Sequence, residues 1–230
     1  MIRPAVLVLC CLAGAAAEAA PSHVSAEYRL ESKGMTIGHV SETFERRGDT
    51  YAIRSESRSE GLLKVFYDER ITLESRGEVG AGGLKPLRFE ERRRRDPKRN
   101  VEATFDWANG VIHSRHRGEV KRVPLPQTTQ DRISMMYQFL HVDPAAGPAL
   151  YMSNGRKVER YSYRLVDEPR IATPAGEFET LHFERVSPDP GDSRVEVWLA
   201  KERHNFPVRV VFDDPDGVRI EQSLVALQAR

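Results

Sequence analysis

The sequence predicts a mostly β fold, a strongly curved antiparallel sheet or open β-barrel with one apolar helix covering its concave face. Apolar and polar residues alternate with a period of two through most of the chain. Turn-forming Gly, Pro and Asn residues separate the alternating stretches, which is typical of antiparallel strands joined by short turns. One segment breaks this pattern, because its apolar residues recur at helical spacing.

The alternation is clearest at 101–107, where Val101, Ala103, Phe105 and Trp107 share one face of a half-buried strand. Residues 27–31 and 70–74 alternate in the same way. Further strands are predicted at 37–47, 50–58, 84–94, 111–117, 158–166, 177–187, 193–200, 207–213 and 218–228. Turn chemistry falls at 47–49, 81–83, 96–98, 109–110 and 214–217. Ten or more such strands predict an antiparallel meander.

The helix is predicted over 131–140. Thr128 and Thr129 suit its cap, and Asp131 suits its positive N-terminal end. Its apolar stripe consists of Ile133, Met136, Tyr137 and Leu140. These side chains either line an adaptable apolar ligand site, to which Met135 also contributes, or simply fill the core, and the sequence leaves both open.

Residues 1–19 have the pattern of a secretory signal peptide. A basic start is followed by an apolar run from Ala5 to Ala17 and by a small-residue cleavage site after Ala19. We therefore expect an exported, periplasmic protein whose mature part, 20–230, is a single β-rich domain. Cys10 and Cys11 both lie in this leader, too early for a lipid anchor, so the mature domain is expected to have no disulfide and no cysteine nucleophile.

Composition gives no case for nucleic-acid binding. The formal net charge is only +1, although 30% of the residues are charged. No apolar stretch after the leader is long enough for a transmembrane helix. The densest charge feature is the basic run Arg92, Arg93, Arg94 and Arg95, which either meets an anionic partner or forms a solvated hairpin tip.

Candidate catalytic and metal-binding residues do not form a known motif. Asp131, Ser134, His182 and His204 supply the residue types of a hydrolytic triad, but the chain has no Gly-x-Ser-x-Gly turn. His113 and His116 are three residues apart on a predicted strand and so face opposite sides, which disfavours a metal site. We therefore assign no catalytic residue, no metal site and no cofactor.

Several motifs together resemble a bacterial envelope family catalogued as domain of unknown function 3108. They are 130–134, 137–140, 173–180, 197–200 and 207–210, and the resemblance extends from about Ala26 to Leu227. The motif residues singled out are Gln130, Asp131, Ser134, Thr173, Pro174, Gly176 and Phe178. The resemblance implies an exported, mostly β protein, similar to lipoprotein-carrier folds in which a curved sheet surrounds a helical plug. It brings no catalytic residues with it.

Three functions remain open at this point. The first is a non-enzymatic periplasmic protein that holds a hydrophobic or lipid-linked ligand in the curved sheet, on the helix stripe of Ile133, Met136, Tyr137 and Leu140. The second is an envelope assembly module that binds a protein or polysaccharide through a sheet edge or the basic run. The third is an envelope hydrolase, which requires Asp131, Ser134 and a histidine to converge.

Overall fold

The computed structural model describes residues 20–230 except 67, 145–148, 188 and 190, and the predicted leader lies outside these residues. The described part is mostly β, as predicted, and forms one large curved sheet. The strands are β1 His23–Ser32, β2 Met35–Arg47, β3 Thr50–Ser59, β4 Arg70–Gly80, β5 Gly83–Arg93, β6 Val101–Asp106, β7 Val111–His116, β8 Glu119–Pro124, β9 Thr129–Asp131, β10 Ala149–Ser153, β11 Val158–Asp167, β12 Arg170–Thr173, β13 Gly176–Val186, β14 Arg194–Ala200, β15 Phe206–Asp213 and β16 Arg219–Ala229. The helices are α1 Gly61–Phe66 and α2 Ser134–Gln138.

Two meanders run outward from a central pair formed by the first and last strands. The spatial order is β8-β7-β6-β5-β4-β3-β2-β1-β16-β15-β14-β13-β11-β10-β9, and β12 pairs only with β13. Every other pairing is antiparallel, but β9 and β10 are parallel, with Thr129 opposite Tyr151. The prediction of a wholly antiparallel sheet is therefore wrong at this edge. The chain passes from β9 to β10 through α2, and such a crossover allows the two neighbouring strands to run parallel.

Register shifts bend the strands. Examples lie in β1 between Glu27 and Tyr28, in β4 between Arg76 and Gly77, and in β14 between Trp198 and Leu199. An extra residue on one strand of a pair increases the local twist and curvature. The curved sheet brings its β9–β10 edge against β4–β7, where side chains connect the two parts of the sheet.

The turn between β10 and β11 shows how closely these parts approach. Gly155 has a positive φ of 77°, and a Cβ added there would lie 2.3 Å from Cγ1 of Val101. The Gly155 carbonyl also accepts a hydrogen bond from the Ser114 hydroxyl. Only glycine combines this backbone conformation with so close an approach.

Two apolar clusters form the core, and α2 contributes to both. The larger is built mainly from the β1–β7 meander and includes Phe44 and Phe89, both without exposed surface. The smaller is built from β10, β11, β13 and β14 and includes Phe183. The alternation predicted at 101–107 is confirmed where Val101 and Phe105 are both 3% exposed. The helix therefore fills the space between two half-sheets that face each other.

The helical segment is shorter than predicted. It begins at Ser134 rather than at 131, because Thr129–Asp131 form β9 beside β10. The predicted threonine cap is also wrong, since the residue before the helix is Ile133 and it makes no side-chain capping hydrogen bond. A second helix that the sequence did not predict, α1, connects β3 to β4. No helix in the described residues is long and apolar enough to span a bilayer.

Candidate functional site

The start of α2 is held by a buried carboxylate. Asp131 is fully buried, and its Oδ1 accepts hydrogen bonds from the backbone N–H groups of Ile133 at 3.0 Å and Ser134 at 2.8 Å. The Ser134 hydroxyl accepts a bond of 2.9 Å from the Asp131 N–H, and Ser75 on β4 donates to the other Asp131 oxygen. This motif therefore joins the helix to β4 across the interior.

Burial raises the pKa of Asp131 to about 6, although its four hydrogen bonds act in the opposite direction. Loss of water disfavours the charged carboxylate more than these donors favour it. Tyr51 lies in the same buried environment, with its hydroxyl 3.0 Å from the Ser75 hydroxyl. Burial raises the pKa of Tyr51 well above its ordinary value.

Two glutamine side chains fix the helix segment to β5. Gln130 Nε2 donates to the Leu84 carbonyl at 2.7 Å, and Gln138 Oε1 accepts from the Leu84 N–H at 2.7 Å. Gln138 Nε2 also donates to the Gly82 carbonyl at 2.7 Å. Gly83, the first residue of β5, has a positive φ of 88°, and a Cβ there would lie 2.5 Å from the Gln138 amide oxygen, so glycine suits this position.

The predicted apolar stripe of the helix lies in the protein interior. Ile133, Tyr137 and Leu140 are 3%, 1% and 8% exposed and pack in the larger cluster, where the Tyr137 ring stacks on Phe44 at 5.3 Å. Met136 is half-buried against the smaller cluster. These side chains therefore pack in the core. Their contact with a ligand stays a prediction.

An inward-facing glutamate accompanies Tyr137. Glu42 shares the inner face of β2 with Phe44, and its carboxylate accepts hydrogen bonds from the Tyr137 hydroxyl at 3.2 Å and the Ser55 hydroxyl at 3.0 Å. Burial raises its pKa to about 7, against the effect of both hydrogen bonds, while part of the side chain still reaches solvent. Glu42 was not identified from the sequence, although a charged residue at an inward position of a strand with period two is a signal for such a site.

A cleft of about 670 Å³ lies at one end of the sheet, where three turns meet. Its lining includes the apolar side chains Val79, Leu84 and Trp107 and the motif residue Gln130. Gln130 is 2% exposed, and its Oε1 has no hydrogen-bond partner among the described residues. Thr128, also at the cleft, has a left-handed φ of 62°, which strains a β-branched residue.

The residues proposed for a hydrolytic triad are not assembled in the described part of the chain. Ser134 and Asp131 are neighbours, but no histidine is hydrogen-bonded to Ser134 there. His182 is held elsewhere, between Asp167 at 2.7 Å on Nδ1 and Glu196 at 2.8 Å on Nε2. The hydrolase hypothesis requires a histidine to converge with Asp131 and Ser134. His182 does not do so, since both of its ring nitrogens bond to other carboxylates.

The same histidine belongs to a cross-strand ladder that the sequence analysis did not identify. Its ring stacks on Trp198 with centroids 4.1 Å apart and planes 6° from parallel. The guanidinium of Arg209 lies 5.8 Å from the Trp198 ring centroid. The register between neighbouring strands brings these side chains together, and the residue pattern within one strand does not show which side chains will be neighbours across strands.

The basic run is neutralised locally. Arg92 pairs with Glu90 at 2.7 Å, Arg93 with Glu91 at 2.6 Å, and Arg94 with Asp68. The backbone N–H of Arg95 donates to Glu69 at 3.1 Å. Three of the four guanidinium groups are thus matched by carboxylates: those of Arg92 and Arg93 by glutamates two residues earlier, and that of Arg94 by Asp68. Binding of an anionic partner by this run stays a prediction.

The second part of the motif set, at 173–178, forms the turn between β12 and β13. The Thr173 hydroxyl accepts from the Ala175 N–H at 3.2 Å, and Gly176 has a φ of 128°. Ala175 also donates to the Leu224 carbonyl on β16 at 3.1 Å, and Phe178 is buried in the larger cluster. The turn, with the exposed Pro174 at its corner, thus fixes the β12–β13 hairpin to the last strand.

The described residues contain no cluster of three or more potential metal ligands. His113 is exposed, with Nε2 3.9 Å from Asp106, whereas His116 bonds the Asn100 carbonyl at 3.2 Å. The two histidines point to opposite sides of β7, as the spacing predicts.

The model of the family described as "Protein of unknown function (DUF3108)" matches residues 27–223. Among solved structures, a β-barrel-like protein of domain of unknown function DUF1849 from Brucella abortus is similar, with a TM-score of 0.59 and 13% identity. That match covers 92% of this chain and 99% of the other, and it concerns the fold alone.

Two further solved structures are more distant. A proposed lipoprotein from Parabacteroides distasonis has a TM-score of 0.38 and 8% identity, covering 91% of this chain and 97% of the other. A proposed outer membrane lipoprotein-sorting protein domain from Vibrio parahaemolyticus has a TM-score of 0.28 and 11% identity, covering 91% and 86%. Among curated proteins, none is similar to this chain at a significant level.

Proposed function

This chain belongs to the DUF3108 family, and we propose that it is an exported, non-enzymatic periplasmic protein that holds an amphiphilic ligand in the cleft bordered by Gln130. The observation that carries the proposal is a cleft of about 670 Å³ lined in part by Gln130, a buried residue whose Oε1 has no hydrogen-bond partner among the described residues. Cavities of this size with mostly apolar walls and a few polar groups are usual small-molecule sites.

The chemistry of the cleft selects the ligand class. Val79, Leu84 and Trp107 offer apolar surface, and the Gln130 oxygen requires a hydrogen-bond donor such as a hydroxyl or amide. A buried acceptor left unpaired costs about 1–3 kcal/mol, and a ligand donor removes that cost. An apolar chain with a hydroxyl- or amide-bearing head group satisfies both requirements.

The position of the cleft also supports the proposal. The core beneath α2 is filled, because Ile133 and Tyr137 are almost completely buried, so a ligand has more room at the end of the sheet than under the helix. The turn that contains Thr128 borders the cleft in a strained conformation, and such strain is often stored at binding sites. The predicted signal peptide supports the periplasmic location.

Tryptophan fluorescence gives a direct test. The chain has two tryptophans, so a Trp198→Phe background leaves Trp107 in the cleft as the sole reporter. We expect dodecyl maltoside, which joins an apolar chain to hydroxyl donors, to change Trp107 emission saturably below its micelle concentration. Native mass spectrometry after gentle purification should also show a bound amphiphile.

A matched pair of variants tests the role of Gln130. Gln130→Met should weaken dodecyl maltoside binding about tenfold, the effect of one lost hydrogen bond of about 1.4 kcal/mol. Gln138→Met is the control, because Gln138 also bonds Leu84 but does not line the cleft. Absence of both a fluorescence change and a co-purifying ligand would refute the proposal, as would equal losses of affinity in the two variants.

A further inference from the structure

A second concave surface, separate from the cleft, lies between the β5–β6 and β7–β8 turns. This basic groove has a volume of about 720 Å³. Lys98 and Arg99 line it from the first turn, Arg117 from the second, and Arg92 and Arg115 from the strands between them. Five cations thus line the groove against the two carboxylates of Asp96 and Glu102, an excess of three positive charges.

Most of this charge is available, in contrast to that of the neighbouring basic run. Arg92 is shared between Glu90 and Glu102. In the described residues, Lys98, Arg99, Arg115 and Arg117 are exposed and have no ion-pair partner. Cations that converge on a concavity without a counter-charge raise the local potential and attract anions.

The backbone of the groove is fixed in place by its own hydrogen bonds. Asn100 Oδ1 accepts from the Arg93 N–H at 2.8 Å, and the Asn100 carbonyl bonds His116 at 3.2 Å. Pro97–Arg99 form a 3₁₀ turn closed by the Asn100 N–H on the Pro97 carbonyl at 3.1 Å. A turn attached to both β5 and β7 presents its cations with little loss of backbone entropy on binding.

We propose that the basic groove binds two or more closely spaced phosphate groups. Three of the four unpaired cations are arginines, whose planar guanidinium groups bind phosphate oxygens through two parallel hydrogen bonds. Cations arise from both walls, so one phosphate contacting Lys98 and Arg99 leaves Arg115 and Arg117 for a second. The phosphates can belong to adjacent lipid head groups or to a soluble oligophosphate, and the experiment separates these sources.

The test uses two probes at low ionic strength. Tripolyphosphate binding is measured by isothermal titration calorimetry, and membrane binding by flotation with vesicles of phosphatidylglycerol mixed into phosphatidylcholine. The variant Arg115→Gln/Arg117→Asn removes two cations, and asparagine suits the left-handed φ of 52° at position 117. We expect this variant to bind about tenfold or more weakly than the unmodified protein. Binding by the unmodified protein should itself weaken as salt is added.

The matched control, Arg47→Gln/Arg164→Gln, removes the same charge from exposed positions outside the groove. Loss of tripolyphosphate binding confined to the groove variant supports a soluble oligophosphate, and loss of vesicle binding confined to it supports lipid head groups. The proposal is overturned if neither probe binds, or if the control weakens binding as much as the groove variant does. Thermal unfolding establishes that both variants are folded.

Discussion

The inward-facing Glu42 makes the stability of the domain depend on pH in a way that one substitution should remove. Burial raises its pKa from the ordinary value of 4.5 to about 7 in the folded protein. The folded state therefore holds a proton that the unfolded chain releases above pH 4.5. The contribution of Glu42 to stability is therefore greatest below that pH and is lost as the pH rises toward 7.

The magnitude follows from the size of the pKa difference. A rise of the pKa from 4.5 to about 7 corresponds to a loss of about 3 kcal/mol in the free energy of unfolding between pH 4.5 and pH 8. This is an upper value, because Glu42 keeps some contact with solvent. Glu42→Gln supplies a neutral amide of the same shape. Its oxygen can accept from one of the Ser55 and Tyr137 hydroxyls, and its NH₂ group can donate to the other.

Urea unfolding at pH 5 and pH 8 measures the effect. Glu42→Gln should be more stable than the unmodified protein at pH 8, by up to about 3 kcal/mol, and should differ little from it at pH 5. Glu45→Gln is the control on the same strand, since Glu45 is 46% exposed and pairs with Arg47 on the surface. Parallel pH profiles for Glu42→Gln and the unmodified protein would refute this account of the carboxyl.

Three further predictions concern the same interior. Asp131→Asn should reduce the fall in urea stability between pH 4 and 6, because burial raises the pKa of Asp131 to about 6; an unchanged profile would contradict this. Gly155→Ala should cost about 3 kcal/mol in urea unfolding, since strain at positive φ adds to a contact of 2.3 Å, whereas Gly110→Ala, with positive φ and open space, should cost about 1 kcal/mol. Tyr137→Phe should move the pH-dependent loss of stability to higher pH, because the tyrosine hydroxyl lowers the pKa of Glu42; a shift to lower pH would exclude that hydrogen bond.

The strands with strict alternation could be predicted from sequence, and those without it could not. In β6, Val101, Ala103 and Phe105 face the core as their period requires. In β9 the polar residues Thr129, Gln130 and Asp131 are all buried, so hydropathy gives no sign of a strand. Gln130 and Asp131 bond to distant partners, Leu84 on β5 and Ser75 on β4, and local pattern does not show these partners.

The length of the helix was overestimated for a related reason. Residues Ile133 to Leu140 have helical spacing, but the Leu140 N–H bonds to the Tyr137 carbonyl at 3.1 Å, three residues back, so the backbone tightens into a turn after Gln138. Apolar spacing reports which side chains enter the core and does not report how the backbone between them hydrogen-bonds. The core role of Tyr137 was therefore predictable, while the helix boundaries were not.

The candidate sites depend even more on distant partners. Sequence singled out Gln130 through the motif set, but only the structure shows that this residue lines a cleft and that its Oε1 has no partner among the described residues. The arginine run at 92–95 attracted attention by density, yet Arg92 and Arg93 pair with glutamates of their own strand and Arg94 pairs with Asp68 from before β4. The available cations come from two separate stretches of sequence and converge through strand register; they are Lys98, Arg99, Arg115 and Arg117.

The pairing of β1 with β16 has a consequence for the order of folding. Ala26 of β1 lies opposite Leu227 of β16, so β1 can complete its pairing only when β16, about 200 residues later in the chain, is also present. Contacts of such long sequence separation form slowly, since a long loop must close first. Until β16 is available, β1 exposes one unpaired edge, and a chain shortened before Arg219 should keep that edge open and associate with other copies through it.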